Sequence, residues 1–262
     1  MSRIIRIDAT SGPELESWLG LAEISQIMPQ GWSLAGGSLM RLLVSERNYQ
    51  TSRSTRDIDV ILDVRTQRSF INQFVDALTH IGFTPEGYNT SGQNHRWVRG
   101  LAQIDVLVPS GLSERTMGWS FPGINKLLPT RGAQFGINRT SSVHVACSEE
   151  KFIVNRPDAL GALYEKCSAL LNNGDSQKQR HYEDIVILAC MLTPDEWDEA
   201  TMNLRSRERY RISNNLDKAI RTIPEELTTE ELRRAQVFTQ LLWDSLRQYD
   251  RRDSLRAFEI PR

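Results

Sequence analysis

Two short motifs in the first quarter of the chain bring together residue types that could bind a nucleotide. Gly36-Gly37-Ser38 follows a short apolar run, and if a helix opens at Ser38 the glycine N–H groups can face an anion. Asp57 and Asp59 are two residues apart, so on a strand both carboxylates project from one face. Two like charges this close repel unless a cation lies between them, and oxygen ligands suit a divalent metal. The pattern therefore indicates a phosphate-binding turn beside a metal-binding carboxylate pair.

Each of these features also has a simpler interpretation. A Gly-Gly pair is often only a turn, and an Asp-x-Asp pair is often the solvated edge of a strand. Asp105 interrupts a second apolar run, Gln103 to Val108. It either faces solvent from an edge strand or joins Asp57 and Asp59 in one metal site. These alternatives make different predictions about where the three carboxylates lie.

Taken in this order, the motifs resemble the signature of the nucleotidyltransferase superfamily typified by DNA polymerase β. That signature is Gly-Gly or Gly-Ser at a helix start, followed by Asp-x-Asp on a strand. The segment Arg53-x-Thr55-x-Asp57-x-Asp59 is most similar to the AbiEii-like toxins of bacterial type IV toxin-antitoxin systems. The resemblance spans roughly the first two thirds of the chain. In the superfamily a third carboxylate lies on a neighbouring strand, and Asp105 stands at the matching order and distance.

The resemblance implies a reaction, which is transfer of a nucleoside monophosphate from an NTP to an acceptor hydroxyl with release of pyrophosphate. It implies that Asp57 and Asp59 hold Mg²⁺ or Mn²⁺ beneath the triphosphate, and that Asp105 completes a second metal site and helps to deprotonate the acceptor. The residues expected to bind the nucleotide are Gly36, Gly37, Ser38, Arg53, Lys166 and Asp184.

Lys166 and Asp184 come from the second half of the chain. In the AbiEii-like proteins a lysine on the helix after the sheet is followed by a basic residue and an aspartate, which Lys166, Arg180 and Asp184 resemble. A lysine near the triphosphate would neutralise its charge, and Asp184 could orient that lysine. Lys166 also interrupts an otherwise apolar helix face, so it points inward or snorkels to the surface. Arg53 similarly either lies in a solvated loop or braces a carboxylate or phosphate.

The acceptor and the biological role follow only from the resemblance. It implies an RNA acceptor, tRNA in particular, with growth inhibition as the outcome and a cognate antitoxin as a partner. Two alternatives stay open. One is transfer to a protein or to a small molecule such as an aminoglycoside, and the other is an inactive module that binds nucleotide or RNA.

Spacing along the chain predicts an α+β fold of two domains, a mixed-sheet domain over residues 1–150 and a helical domain over 151–262, and the resemblance implies that the first is the nucleotidyltransferase domain. Strand and hairpin patterns extend to Val154, and the pattern turns helical after Arg156-Pro157. In the first domain we expect a helix that opens at Ser38 and another that Thr66 caps. Capping boxes at Thr193 and Thr228 predict two helices in the second domain.

Composition limits the remaining classes of function. The formal net charge is -1, so any RNA contact must come from a local patch such as the alternating arginines of 205–211. Cys147, Cys167 and Cys190 show neither disulfide nor metal spacing, which predicts reduced, buried thiols in a cytoplasmic protein. No apolar run is long enough for a membrane span, so no membrane partner is expected.

Overall fold

The computed structural model describes residues 3–9, 12–49, 55–87, 95–113, 127–171 and 178–258. The chain divides into two compact units, Met1–Ala162 and Leu163–Arg262. The first unit contains two β-sheets with helices, and the second is helical, so the predicted α+β class is confirmed. The division lies later than residue 150 because β9 (Glu150–Pro157) pairs with β8 (Thr140–Cys147) and so belongs to the first unit.

In the described part of the first unit, one sheet has six strands and the other has three. The six-stranded sheet has the order β2-β3-β6-β5-β4, with β7 also paired to β6. Its strands are β2 (Trp32–Ala35), β3 (Ile58–Leu62), β4 (Thr84–Pro85), β5 (Arg96–Arg99), β6 (Ala102–Pro109) and β7 (Leu128–Thr130). The three-stranded sheet has the order β1-β8-β9, in which β1 (Ile4–Ile7) runs parallel to β8.

The helices of the first unit are α1 (Gly12–Ile27), α2 (Gly36–Arg47), α3 (Phe70–His80) and the short α4 (Ala133–Ile137). Two of them begin elsewhere than predicted. Helix α2 begins at Gly36 rather than Ser38, so both glycines lie in its first turn. Helix α3 begins after Ser69 rather than at Thr66, because turns occupy the segment that follows β3. It ends at His80, two residues before Gly82, whose φ of +87° favours glycine.

The two faces of the six-stranded sheet are covered differently. On one face Ile58, Val60 and Ile104 are fully buried and α1 packs there, since a β-carbon at Gly20 would lie at van der Waals distance, 3.7 Å, from Ile104 and only 2.8 Å from the ring of Phe83. On the other face Ile61 and Leu107 pack against Ala133 of α4. Side chains alternate along each strand, so Asp59 and Asp105 share this second face with Ile61 and Leu107.

The second unit consists of packed helices. They are α5 (Ala159–Ala169), which crosses the division between the units, α6 (Lys178–Met191), α7 (Pro194–Met202), α8 (Ser206–Thr222), a 3₁₀ turn (Pro224–Glu226) and α9 (Thr229–Phe258). The predicted capping boxes are both formed. Thr193 N donates to Glu196 Oε2 over 2.7 Å, and Thr228 N donates to Glu231 Oε2 over 2.9 Å.

The three cysteines are free thiols and all are buried, as their spacing predicted. Burial raises the pKa of Cys167 and raises that of Cys190 to about 12, so these thiols stay protonated and act as apolar side chains. Among the residues that the structure describes, helices long and apolar enough to cross a membrane are absent.

Candidate functional site

Four neighbouring strands place a row of side chains on one face of the six-stranded sheet. Ala35 of β2 pairs with Asp59 of β3, Asp59 pairs with Asp105 of β6, and Asp105 pairs with Arg96 of β5. Register partners lie on the same face, and neighbouring strands are about 4.8 Å apart. The register therefore brings the carboxylates of Asp59 and Asp105, two of the three predicted metal ligands, side by side. The sequence alone does not determine this pairing.

The first turn of α2 lies against the carboxylate of Asp59. Gly36 has a φ of +62°, and a β-carbon there would overlap Oδ2 of Asp59. A β-carbon at Gly37 would lie only 2.7 Å from Oγ1 of Thr55. The side chains of Asp59 and Thr55 therefore approach the backbone too closely for any residue other than glycine at these two positions. Asp59 lies at the N-terminus of α2, where a helix has free N–H groups and a partial positive charge. The predicted anion-binding turn is thus next to the carboxylate strand.

Asp57 was predicted to lie on the strand with Asp59, but β3 begins only at Ile58, so Asp57 stands just before the strand and is held by polar neighbours. Its Oδ1 accepts a hydrogen bond of 2.8 Å from Thr55, and its Oδ2 accepts one of 3.3 Å from Gln103 on β6. Its backbone carbonyl accepts a hydrogen bond from Ser38 Oγ. Ser38 is fully buried, so its hydroxyl joins the start of α2 to the start of β3. Contact between Ser38 and a phosphate stays a prediction.

Asp105 is buried and engaged by a guanidinium. Arg96 donates to both of its oxygens, from Nε to Oδ1 and from Nη2 to Oδ2, each over 3.0 Å. This bidentate hydrogen bond is the main reason that the pKa of Arg96 is raised. His95 Nε2 lies 3.8 Å from Asp105 Oδ2, and burial lowers the pKa of His95 although Asp105 opposes that effect. Asp105 thus lies between a charged arginine and a histidine that burial keeps neutral near pH 7.

The three aspartates supply the ligand chemistry for a hard divalent cation, since carboxylate oxygens are the ligands that Mg²⁺ and Mn²⁺ prefer. Asp57 and Asp59 are half-buried at the same end of β3 and fit such an ion. Asp105 fits only if Arg96 releases it. Accordingly, within the part of the chain that the structure describes, no group of three or more His, Cys, Asp or Glu side chains converges as a metal site.

Lys166 and Asp184 form an ion pair inside the second unit. Lys166 Nζ of α5 lies 2.8 Å from Asp184 Oδ2 of α6, and the two side chains are only 8% and 0% exposed. The inward orientation of Lys166 is therefore observed, and the snorkelling alternative is wrong. The predicted orientation of Lys166 by Asp184 is seen in this contact, whereas their binding of a nucleotide stays a prediction. Arg53 lies outside the described residues.

Sequence reasoning did not assign Arg96, Gln103 or His95 to the site. A signal for Arg96 was present in the predicted hairpin. A two-residue turn at Gly100-Leu101 pairs Arg99 with Ala102. Counting outwards from that pair along both strands places Arg96 opposite Asp105. Gln103 precedes Asp105 by two residues and so shares its face.

Comparisons with protein-family models, with curated proteins and with solved structures return no match for this chain.

Proposed function

We propose that this chain is a metal-dependent nucleotidyltransferase whose first unit is arranged like the DNA polymerase β-type domain. The observation that supports it most directly is the register that sets Asp59 beside Asp105, with Asp57 at the same end of β3 and the start of α2 against Asp59. A carboxylate group of this kind beside a helix N-terminus suits a nucleoside triphosphate and its cation. The helical second unit agrees with the AbiEii-like arrangement that the sequence resembles.

The proposed reaction joins an acceptor hydroxyl to the α-phosphorus of an NTP. A bond forms between the acceptor oxygen and the α-phosphorus, and the bond from that phosphorus to the bridging oxygen breaks, so pyrophosphate leaves. Asp57 and Asp59 would hold Mg²⁺ or Mn²⁺, which supplies charge neutralisation for the attacking and leaving oxygens. Asp105 would receive the hydroxyl proton, directly or through water, once Arg96 no longer occupies its oxygens.

The glycines of α2 would admit the phosphates as well as Asp59. The missing β-carbons leave room at this turn for the side chains of Asp59 and Thr55, so the phosphates would bind alongside Asp59 through backbone N–H groups of the same helix start. Ser38 would act through its hydrogen bond to the Asp57 carbonyl, which keeps this turn next to the carboxylates. Lys166, Asp184 and Arg53 are proposed as further nucleotide-binding residues on the resemblance alone.

The acceptor that we propose is RNA, tRNA in particular. By the same resemblance, the outcome of transfer would be growth inhibition, and a cognate antitoxin would be the partner that controls it. The experiment that tests the reaction incubates purified protein with each α-³²P-labelled NTP and Mg²⁺ or Mn²⁺. Total RNA, cell protein and an aminoglycoside are offered in separate reactions, and reactions with EDTA serve as controls.

We expect label to be incorporated into RNA by the wild-type protein only when the cation is present. The Asp57→Ala variant should incorporate none. Label in protein or in the aminoglycoside would instead support the alternative acceptors. If label appears nowhere with any of the four NTPs, the chain is a binding module and the proposed reaction is wrong.

Replacement of Arg96 tests the proposed metal site through stability and Mn²⁺ binding, without measuring turnover. Arg96→Met leaves the buried Asp105 without its cation, which should lower the free energy of unfolding by about 2–3 kcal/mol in the absence of metal. The freed carboxylate lies beside Asp59, so Mn²⁺ should bind more tightly than to wild type, by roughly tenfold. Thermal unfolding over a Mn²⁺ titration measures both effects.

The matched control is Arg99→Met. Arg99 lies on the same strand and donates to both oxygens of Glu23, over 3.0 and 2.6 Å, but on the opposite face of the sheet. This variant should lose stability without gaining affinity for Mn²⁺. Equal Mn²⁺ stabilisation of Arg96→Met, Arg99→Met and wild type would show that Arg96 does not compete with a metal for Asp105.

A further inference from the structure

Of the four alternating arginines of residues 205–211, Arg205 is the N-cap of helix α8 and the other three lie on the helix, where they have two roles. Arg209 is buried and donates from Nη1 to the carbonyl of Thr201 over 2.7 Å, so it supports the fold. Arg207 and Arg211 are one helical turn apart and line a cavity of about 700 Å³ in the second unit. The structure thus shows which members of the run share a face of the helix.

One face of α8 forms a wall of this cavity. It carries Arg207, Tyr210, Arg211 and Asn214, which follow the spacing i, i+3, i+4 and i+7 of a continuous helical stripe. A stripe at this spacing is normally apolar and buried by a neighbouring helix. Here it is cationic, aromatic and amide-bearing, and Tyr210 is 54% exposed. The composition of the stripe is therefore better suited to a polar, flat ligand than to core packing.

Helix α9 supplies the opposite wall with Trp243, Leu246 and Arg247. The rings of Tyr210 and Trp243 meet edge to face, with centroids 5.7 Å apart and an interplanar angle of 83°. Trp243 Nε1 donates to Asp217 Oδ2 over 2.9 Å, which fixes the indole. Two aromatic side chains are thus held at a fixed angle in the cavity, so stacking a ligand on them requires little further ordering.

The cationic groups are also positioned. Arg211 Nη1 donates to Tyr164 Oη over 2.8 Å and to Ser168 Oγ over 3.2 Å, and its guanidinium lies 5.2 Å from the centre of the Tyr164 ring. Arg247 is exposed and 3.8 Å from Asp244, which is a weak contact. Among the described residues that line the cavity, three are arginines and none is a carboxylate. The cavity is therefore complementary to an anion.

We propose that this groove between α8 and α9 binds a single-stranded RNA segment. An unpaired base would stack on Tyr210, the arginines would neutralise the flanking phosphates, and Asn214 would hydrogen-bond a base edge. A cavity of this size accommodates a nucleotide. The choice of RNA rests on the proposed function, while the binding itself is measured without any nucleotidyl transfer.

The test is fluorescence anisotropy of a labelled single-stranded RNA oligonucleotide with the full chain in EDTA, over a range of salt concentrations. Tyr210→Ala should weaken binding by roughly five- to a hundredfold, since stacking on one aromatic side chain is worth about 1–3 kcal/mol per base, and Tyr210→Phe should bind like wild type. Arg207→Gln should weaken binding and lower the slope of log K against log salt by about one.

Arg233→Gln is the control for charge. Arg233 lies on α9, as Arg247 does, but it does not line the groove, is 76% exposed and pairs weakly with Glu230. It should change neither the affinity nor the salt dependence beyond twofold. If Tyr210→Ala and Arg207→Gln bind RNA as wild type does, the groove is not the RNA site, although transfer to RNA could still be observed.

Absence of RNA binding by wild type at low salt would also overturn the inference. So would equal competition by poly-glutamate, which would indicate a site for anions in general. Neither result bears on the labelling experiment, so failure of the groove and failure of the proposed reaction are distinguishable.

Discussion

Asp57→Ala and Asp59→Ala are each expected to abolish nucleotidyl transfer, by at least about a thousandfold, because charge neutralisation by a bound cation contributes several kcal/mol to such displacements. The effect on folding should be small. Asp57 loses only its hydrogen bonds from Thr55 and Gln103, and removal of Asp59 takes one of two neighbouring negative charges from the row with Asp105. The Asp59→Ala protein loses this repulsion but also the contact of its carboxylate with the start of α2, so without metal its stability should stay within about 1 kcal/mol of wild type.

Transfer rates with labelled NTP and melting temperatures with and without Mg²⁺ measure the two expectations on one preparation. Asp63→Ala is the control, since Asp63 follows the same strand at its other end and its carboxylate accepts from the backbone N of Thr66. It should retain activity. A melting temperature that falls in EDTA while activity persists would identify Asp57 or Asp59 as structural and would rule out the proposed metal site.

The second large effect concerns the buried ion pair of the second unit. Asp184→Ala should lower the free energy of unfolding by about 3–5 kcal/mol, because it leaves the ammonium of Lys166 buried without its counter-ion. The double variant Lys166→Met/Asp184→Leu should recover most of that loss, since two apolar side chains of similar volume replace both charges. Chemical denaturation of both variants and of wild type measures the difference.

The recovered double variant also separates two roles of Lys166. If Lys166 contacts the triphosphate, this folded protein binds NTP more weakly than wild type. If the pair serves only the fold, NTP affinity is unchanged. The control pair is Arg233 and Glu230, whose side chains are 76% and 68% exposed, and breaking it should cost no more than about 0.5 kcal/mol. A similarly small cost for Asp184→Ala would mean that the Lys166–Asp184 contact is not maintained in solution.

Several features could be predicted from sequence because short-range geometry decides them. Glycine most readily adopts the positive φ found at Gly82, just after α3, and a Thr with Glu three residues later satisfies its own helix start at Thr193. The Gly100 turn likewise determines the hairpin that carries Asp105. These constraints act within a few residues, so no knowledge of the remaining chain is needed.

The tertiary structure decided what lies against these residues. The parallel pairing of β3 with β6 sets Asp59 beside Asp105, and the start of α2 lies against Asp59 so closely that Gly36 cannot carry a β-carbon. The side chain of Lys166 points inward to Asp184 of α6, whereas the sequence was compatible with both an inward and a surface orientation. Each of these contacts joins two elements of secondary structure, and the sequence pattern of each element is equally compatible with other tertiary arrangements. Their positions depend on long-range strand register and on the burial of charge, which a pattern of neighbouring residues does not determine.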